Sequence, residues 1–392
     1  MNLYEHETKS VLRGYGLPIA EGVVASSPDE ARGAAAGLGG ARWVVKAQVR
    51  AGQRGKAGGV QFVDSADAVA AAAKDMLGKK LVTGQTTRDG LLVKKVLVEA
   101  AQDITQEIYA AVMVDRTTGR LTVVVSGAGG VDVEETLKDA SKREQVDCDF
   151  DPMPTAADFA HIPAKLNLSG NAATAMPELL AATCKAFVEN DANLIELNPV
   201  AVTAAGTLAV IDAKMVIDDN ALFRHTSFAA LRDDDDEADP QELEAHRYEL
   251  NYVKLDGSVG LMCTGAGMAM ATIDLIHQKG GEAANFMDVR PVASREQVTE
   301  GVLLLLRNPN VKSIIVNTMG GGILRCDLIA EGVAEAYRKS KTSVPIVFRA
   351  AGTAKEIGEL ALRNQAIPVT IVDEIDDAVE SAVRLAAGGA SS

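Results

Sequence analysis

Two rhythms of apolar and polar positions divide the chain. In the first part, short β-branched runs alternate with Ala-rich stretches of helical spacing. Leu3 to Tyr15 sets Leu3, Val11 and Leu12 among charged residues and ends at Gly14 and Gly16, which predicts a helix with a glycine stop. Trp43 to Val49 reads as a strand and Asp67 to Leu77 as a helix. Val96–Glu99, Ile108–Val114 and Leu121–Ser126 read as further strands, the last stopped by Gly127, Gly129 and Gly130. Leu194–Asn198 and Leu208–Lys214 flank a turn at 204–206 and predict a hairpin. The expected product is an α+β domain with antiparallel pieces.

Later in the chain the unit becomes strand, glycine loop, helix. Val259–Cys263, Ser313–Asn317, Pro345–Arg349 and Val369–Val372 predict strands. Helices are expected at Met268–Gln278, Ile323–Lys339 and Lys355–Arg363, with Val302–Leu306 as helix core and a last helix at the end. Repeated units of this kind predict an α/β fold, a parallel sheet with helices on both faces. Ligands of such sheets sit at the carboxyl ends of the strands, where the glycine loops lie.

Between the two rhythms stands Asp233 to Pro240, in which six of eight residues are acidic. Such a run repels itself, and Pro240 disfavours helix at Asp239. The expected organisation is therefore a first domain over 1–232, an acidic linker over 233–248 and a second domain over 249–392.

Composition narrows the partners. Lys plus Arg number 39 and Asp plus Glu 54, a net charge of −15, which argues against a nucleic-acid backbone. No run approaches the ~18 apolar residues of a membrane span, and the start carries charge where a signal peptide is apolar. The four cysteines are far apart and form no Cys-x-x-Cys pair, so a disulfide framework or structural zinc is not expected. A cytoplasmic protein is the expectation. With aromatics at 4%, the core must come mostly from Ala, Val, Leu and Ile.

Three constellations carry candidate chemistry. Lys46-Ala-Gln-Val-Arg-Ala-Gly-Gln53-Arg54-Gly55-Lys-Ala-Gly-Gly59 puts a lysine on a strand and then a basic glycine loop. Backbone N–H groups freed by glycine, with two cations, suit polyphosphate; no Walker loop is present, and a flexible basic hairpin is the competing reading. Glu99 and Glu107 sit at strand ends, as acceptors for a nucleoside or as solvated rim acids. Glu196 and Asn198 precede Pro199, and Asp212 follows on the neighbouring strand. Asn198 and Asp212 would offer two hard oxygens, a set that suits Mg²⁺ completed by phosphate and water.

These residues, together with Met1-Asn-Leu-Tyr-Glu-His-Glu7, Asp218-Asp-Asn-Ala-Leu-Phe-Arg224, Glu249-Leu-Asn-Tyr-Val253, Gly265-Ala-Gly-Met-Ala-Met270 and Arg325-Cys-Asp-Leu-Ile-Ala330, carry a resemblance. The chain resembles the β subunit of succinyl-CoA synthetase, and is also similar to the β subunit of malate–CoA ligase. The resemblance implies an N-terminal ATP-grasp domain and a C-terminal flavodoxin-like CoA-ligase domain. It implies Lys46, Gln53, Arg54, Gly55, Glu99, Gln102 and Glu107 as nucleotide-binding residues. Asn198 and Asp212 become the Mg²⁺ ligands, and Glu196 the residue that steadies a phosphohistidine loop. Thr264, Arg290, Gly321, Gly322, Ile323 and Leu324 fall where the acid binds. The implied cofactors are Mg²⁺ and ATP/ADP, or GTP/GDP, with CoA as co-substrate. The implied partner is an α subunit that carries the phosphohistidine and most of the CoA site, in an αβ or α2β2 assembly. None of His6, His161, His225, His246 and His277 has a nucleophile-like setting in the sequence.

Departures from the family pattern cluster in the second half. Asn-Gly-Ala-Gly becomes Thr264-Gly-Ala-Gly; Asp-Val-Gly-Gly-Gly-Ala becomes Asp288-Val-Arg290-Pro291-Val-Ala; and a glycine is added at Gly320-Gly-Gly322. In the first half Gln53 replaces a glycine. The glycines at 320–322 are expected to precede a helix starting near Ile323, whose N-terminus favours an anion. Arg290 either meets a second anionic group on the acid or is a rim charge paired with Glu296 or solvent. Succinate is the default acid, with malate, another dicarboxylate or a sulfonated acid as alternatives. A nucleotide-binding regulatory subunit that has lost catalysis is the reading from another class.

Overall fold

The computed structural model describes residues 1–392 except 87–89, 131–132, 234–238, 322, 342, 366 and 389–392. Two compact units result, one over Met1–Glu237 and one over Ala238–Ser392.

The first unit contains two main sheets. A four-stranded antiparallel sheet has the order Gly22–Ala25, Lys95–Ala100, Trp43–Gln48, Val60–Val63. Helices Pro28–Leu38 and Ala66–Met76 pack on it through Ala31, Ala35, Val69 and Ala73, against Val45, Val96 and Val98. Small alanines let these helices approach the sheet closely, which suits a chain poor in aromatics. Both helices start on serine caps: Ser27 accepts from the Glu30 N–H and Ser65 from the Ala68 N–H, each at 3.2 Å.

A six-stranded sheet holds Ile104–Val114, Leu121–Ser126, Glu144–Cys148, Ala192–Thr203, Leu208–Val210 and Ala213–Ile217. Ala192–Thr203 pairs antiparallel with both Leu208–Val210 and Ala213–Ile217, so the expected hairpin is present. Helix Gly170–Glu189, which the sequence reading leaves unassigned, supplies Met176, Leu180 and Phe187 to the core beneath this sheet. Helix Glu5–Arg13 adds Leu12 to the same core.

The second unit is a six-stranded sheet in the order Asn251–Lys254, Asn285–Val289, Val259–Thr264, Ser313–Gly320, Ile346–Gly352, Val369–Val372. All neighbours are parallel except the edge strand Asn251–Lys254. Alternate residues feed two cores. Met262, Ile314, Val316 and Phe348 meet helices Arg295–Arg307, Cys326–Ser340 and Lys355–Asn364. Leu261, Cys263, Ile315 and Val347 meet Ala266–Gln278 and Ile375–Ala386. Burial on both faces explains why these strands read as unbroken apolar runs.

Two expectations change. Residues 240–247, read as linker, form helix Pro240–Arg247, with Ala245 in the core of the second unit. Pro240 does disfavour helix at Asp239, but it thereby makes Asp239 a cap, which accepts from the Gln241 N–H at 2.8 Å. The helix expected from Ile323 starts at Cys326. Thr318, Met319 and Gly320, read as loop, continue the strand and pair with Ala350, Ala351 and Gly352. Only glycine fits at 320, where a Cβ would lie 2.7 Å from the Thr353 carbonyl oxygen.

Candidate functional site

A cavity of about 330 Å³ lies in the first unit. Every residue expected for nucleotide, metal and Glu196 chemistry lines it: Lys46, Gln53, Arg54, Gly55, Glu99, Gln102, Glu107, Glu196, Asn198 and Asp212. Local structure accounts for their convergence. Ile195 and Leu197 face the core, so strand alternation turns Glu196 and Asn198 to the opposite face. The turn after the Trp43–Gln48 strand closes on itself, the Gly59 N–H donating to the Arg54 carbonyl at 2.8 Å. Gly58 holds φ +79° there, a backbone glycine adopts freely.

Lys46 and Arg54 are not hairpin tips. They are 3% and 6% exposed. Lys46 Nζ lies 2.9 Å from Glu5 Oε1 and 2.6 Å from Glu99 Oε2. Arg54 Nη2 lies 2.8 Å from Glu5 Oε2 and 2.8 Å from Asp212 Oδ2. Burial alone would lower the Lys46 pKa, but the carboxylates of Glu5, Glu99 and Asp212 outweigh it and raise it above the ordinary lysine range. For Glu5 burial pushes upward, and Lys46, Lys9 and Arg54 together hold the carboxyl well below its ordinary value. Both cations stay charged, as an anion site requires.

The Glu99 carboxylate lines the cavity while buried against Lys9 and Lys46, one oxygen on each. Gln102 is exposed, its amide donating to the Ala100 carbonyl at 3.4 Å. Gln53 takes φ +60°, the left-handed region that suits glycine.

Asn198 and Asp212 are neighbours, since the Asn198 N–H donates to the Asp212 carbonyl at 3.0 Å. The Asn198 side chain grips Gly130, accepting from its N–H at 2.7 Å and donating to its carbonyl at 3.2 Å. A Cβ on Gly130 would lie 2.4 Å from Glu107 Oε2. Asp212 is 36% exposed at its side chain and so remains open to the cavity. An amide oxygen and a carboxylate in one cavity fit Mg²⁺ that shares phosphate oxygens. Among the described residues no group of three or more His, Cys, Asp or Glu would hold a metal unaided.

Sequence reasoning missed Glu5, Lys9, Gln85 and Gly130. Gln85 Oε1 accepts from the Gly52 N–H at 2.9 Å and from Lys214 Nζ at 3.2 Å, tying a second loop to the glycine loop.

In the second unit, Thr264, Arg290 and Gly321 lie at or just beyond the carboxyl ends of adjacent strands. Thr264 Oγ1 accepts from the Met319 N–H at 2.8 Å. Arg290 pairs with Glu249, not Glu296. Ile323 is 72% exposed, whereas the Leu324 side chain belongs to the core and offers a ligand no side-chain contact. Gly322 lies outside the described residues.

Comparison with known proteins decides the family. Residues 2–202 match the ATP-grasp domain and residues 262–385 the CoA-ligase domain. The succinate–CoA ligase [ADP-forming] β subunit of Parvibaculum lavamentivorans is 42% identical over 386 residues, covering 98% of each chain. That of Cupriavidus taiwanensis is 42% identical over 390 residues, covering 99% of this chain and all of its own. This chain belongs to the succinate–CoA ligase β-subunit family. The family's fold extends to the ATP citrate lyase of Methanothrix soehngenii, at TM-score 0.77 and 18% identity over 99% of both chains. The expected ATP-grasp and CoA-ligase architecture is thus present in the expected order. Among the described residues no helix is long and apolar enough to cross a membrane.

Proposed function

We propose that the chain is the β subunit of an ADP-forming acid–CoA ligase that couples phosphoryl transfer on ATP/ADP to making or breaking an acyl-CoA thioester, with succinate as the default acid. The observation that carries this reading is the single cavity that joins two buried cations, Lys46 and Arg54, to the oxygen pair Asn198 and Asp212. Relatives of the same length bear the name of this activity.

Lys46 and Arg54 would bind the nucleotide phosphates and bear their charge. The Gly55 turn brings backbone N–H groups close enough to share that work. Asn198 and Asp212 would hold Mg²⁺, which neutralises phosphoryl charge when bound. Glu196, on the same strand face as Asn198, would steady the loop that brings a phosphoryl acceptor to the cavity. That acceptor is a histidine of an α subunit, which also supplies most of the CoA site, in an αβ or α2β2 assembly. ADP is the default product nucleotide, and GDP remains open. The four buried thiols support a reducing, cytoplasmic setting. A CoA-dependent ADP-release assay on the chain co-purified with its α partner, over a panel of acids, tests the reading. No turnover with any acid would overturn it.

The acid site supports a second reading of narrower scope. Thr264 places a hydroxyl at the strand ends, and Arg290, one residue past the Thr264 strand partner Val289, has a side chain 42% exposed that pairs with Glu249. An acid with an extra oxyanion, such as malate or a sulfonated dicarboxylate, suits that pair better than succinate does.

A further inference from the structure

The ion cluster under the cavity includes a lysine that the nucleotide reading does not use. Lys9 is absent from the cavity wall, and its side chain is 4% exposed. It completes a closed ring of alternating charge. Glu5 Oε1 meets Lys9 Nζ at 2.8 Å and Lys46 Nζ at 2.9 Å. Glu99 closes the ring, with one carboxylate oxygen on Lys9 and the other on Lys46 at 2.6 Å. Both ammonium groups also donate to the Ile211 carbonyl at 2.6 Å, one residue before Asp212. Arg54 joins through Glu5 and reaches Asp212.

The charges decide what Lys9 does. Glu5, Glu99 and Asp212 balance Lys9, Lys46 and Arg54, so the six sum to zero. When Asp212 turns from Arg54 toward the cavity, three cations face two carboxylates, and the remaining five carry +1. Without Lys9 they carry zero, and Lys46 faces Glu99 alone while sharing Glu5 with Arg54. Poorly solvated charges at this range interact strongly, so that unit of charge is felt by an incoming phosphate.

We propose that Lys9 is a positioning residue of the nucleotide site: it neutralises the second carboxylate at Lys46, so that the cavity floor stays positive toward a nucleoside polyphosphate. The proposal rests on the nucleotide reading of the cavity.

Calorimetric titration of Mg-ADP into the full chain tests it. Lys9→Met removes one positive charge and should weaken binding by about 10- to 100-fold. Lys9→Met/Glu99→Gln restores +1 and should return affinity to within about fivefold of the parent. Glu99 contacts only the two lysines among its ring partners, so glutamine still accepts from Lys46. A merely structural lysine would shift the melting curve of Lys9→Met and leave the Mg-ADP affinity of its folded fraction unchanged. Parent-like binding by Lys9→Met, or a double variant as weak as the single, overturns the proposal. If circular dichroism shows Lys9→Met unfolded, the charge-balanced double variant decides alone, and a loss there above about tenfold overturns it. Failure of the parent to bind Mg-ADP is a separate result, which sinks the nucleotide reading itself.

Discussion

Arg54 Nη2 reaches both carboxylate oxygens of Asp212, each at 2.8 Å. On the proposed roles, a phosphate-binding cation and a metal-binding anion therefore neutralise each other in the free cavity. Nucleotide and metal would part them together, phosphate taking the guanidinium and Mg²⁺ the carboxylate. Arg54 keeps Glu5 as a partner throughout, so the buried guanidinium is never left unpaired, which would cost several kcal/mol.

Asp212→Ala removes the carboxylate from that exchange. Phosphoryl transfer should fall by at least about a hundredfold, because metal-borne charge stabilisation is worth several kcal/mol. The side chain is partly exposed and outside the core, so the thermal transition should change little. Steady-state turnover with titrated Mg²⁺, beside a melting curve, measures both. Unchanged turnover excludes Asp212 as a ligand.

This chain by itself should show no ligase activity. Three of its five histidines have partners of their own: His225 Nε2 lies 2.6 Å from Asp191 Oδ2, His6 Nδ1 3.0 Å from Gln48 Oε1 and His277 Nδ1 3.3 Å from Glu282 Oε1. Radiolabelled nucleotide should leave acid-labile, base-stable label on the α partner and none here. Stoichiometric phosphohistidine on the isolated chain would refute the division of labour.

The acid should be chosen at Thr264 and Arg290. Thr264→Asn exchanges a hydroxyl for an amide beside the Met319 N–H. One polar contact remade in a closed site is worth about 1–3 kcal/mol, or roughly tenfold to a hundredfold in selectivity. Arg290→Gly frees Glu249 and removes a cation, which should penalise malate and sulfonated acids more than succinate. Competition kinetics over the three acids shows whether the ranking moves. An unmoved ranking with succinate first assigns both substitutions to the rim.

Gln53→Gly should stabilise the first unit. A glutamine at φ +60° costs about 1 kcal/mol that glycine does not. The melting temperature should rise by roughly 2–4 °C for a unit of this size. A fall in melting temperature would show that the Gln53 side chain contributes more than its backbone costs.

The cavity lining was legible because its residues crowd into short stretches. Lys46 to Gly59 announces itself by glycine and charge, and Asn198 and Asp212 by adjacent strands. Glu5 and Lys9 were not legible. Acids in a first helical turn usually cap the helix in water, and only pairing across 41 and 90 residues buries these two groups. Helix Gly170–Glu189 was left unassigned; it opens on Gly170 and carries Pro177 inside, two residue types that ordinarily weaken or break a helix. The start of the Cys326 helix was misplaced because glycine normally ends a strand. At Gly320 it lets two backbones pass closely, and the strand runs on.

The strands of the second unit are packed on both faces only up to their carboxyl ends. Beyond that point Arg290 is partly exposed and paired with Glu249, and Ile323 is 72% exposed. Substitutions at such positions usually shift stability by no more than about 0.5 kcal/mol. Exchange at Arg290 or Ile323 thus leaves the sheet beneath free to fold, whereas Gly320 is held by its close approach to the Thr353 carbonyl. A change of acid at the rim therefore requires no change of scaffold, so long as that one glycine stays.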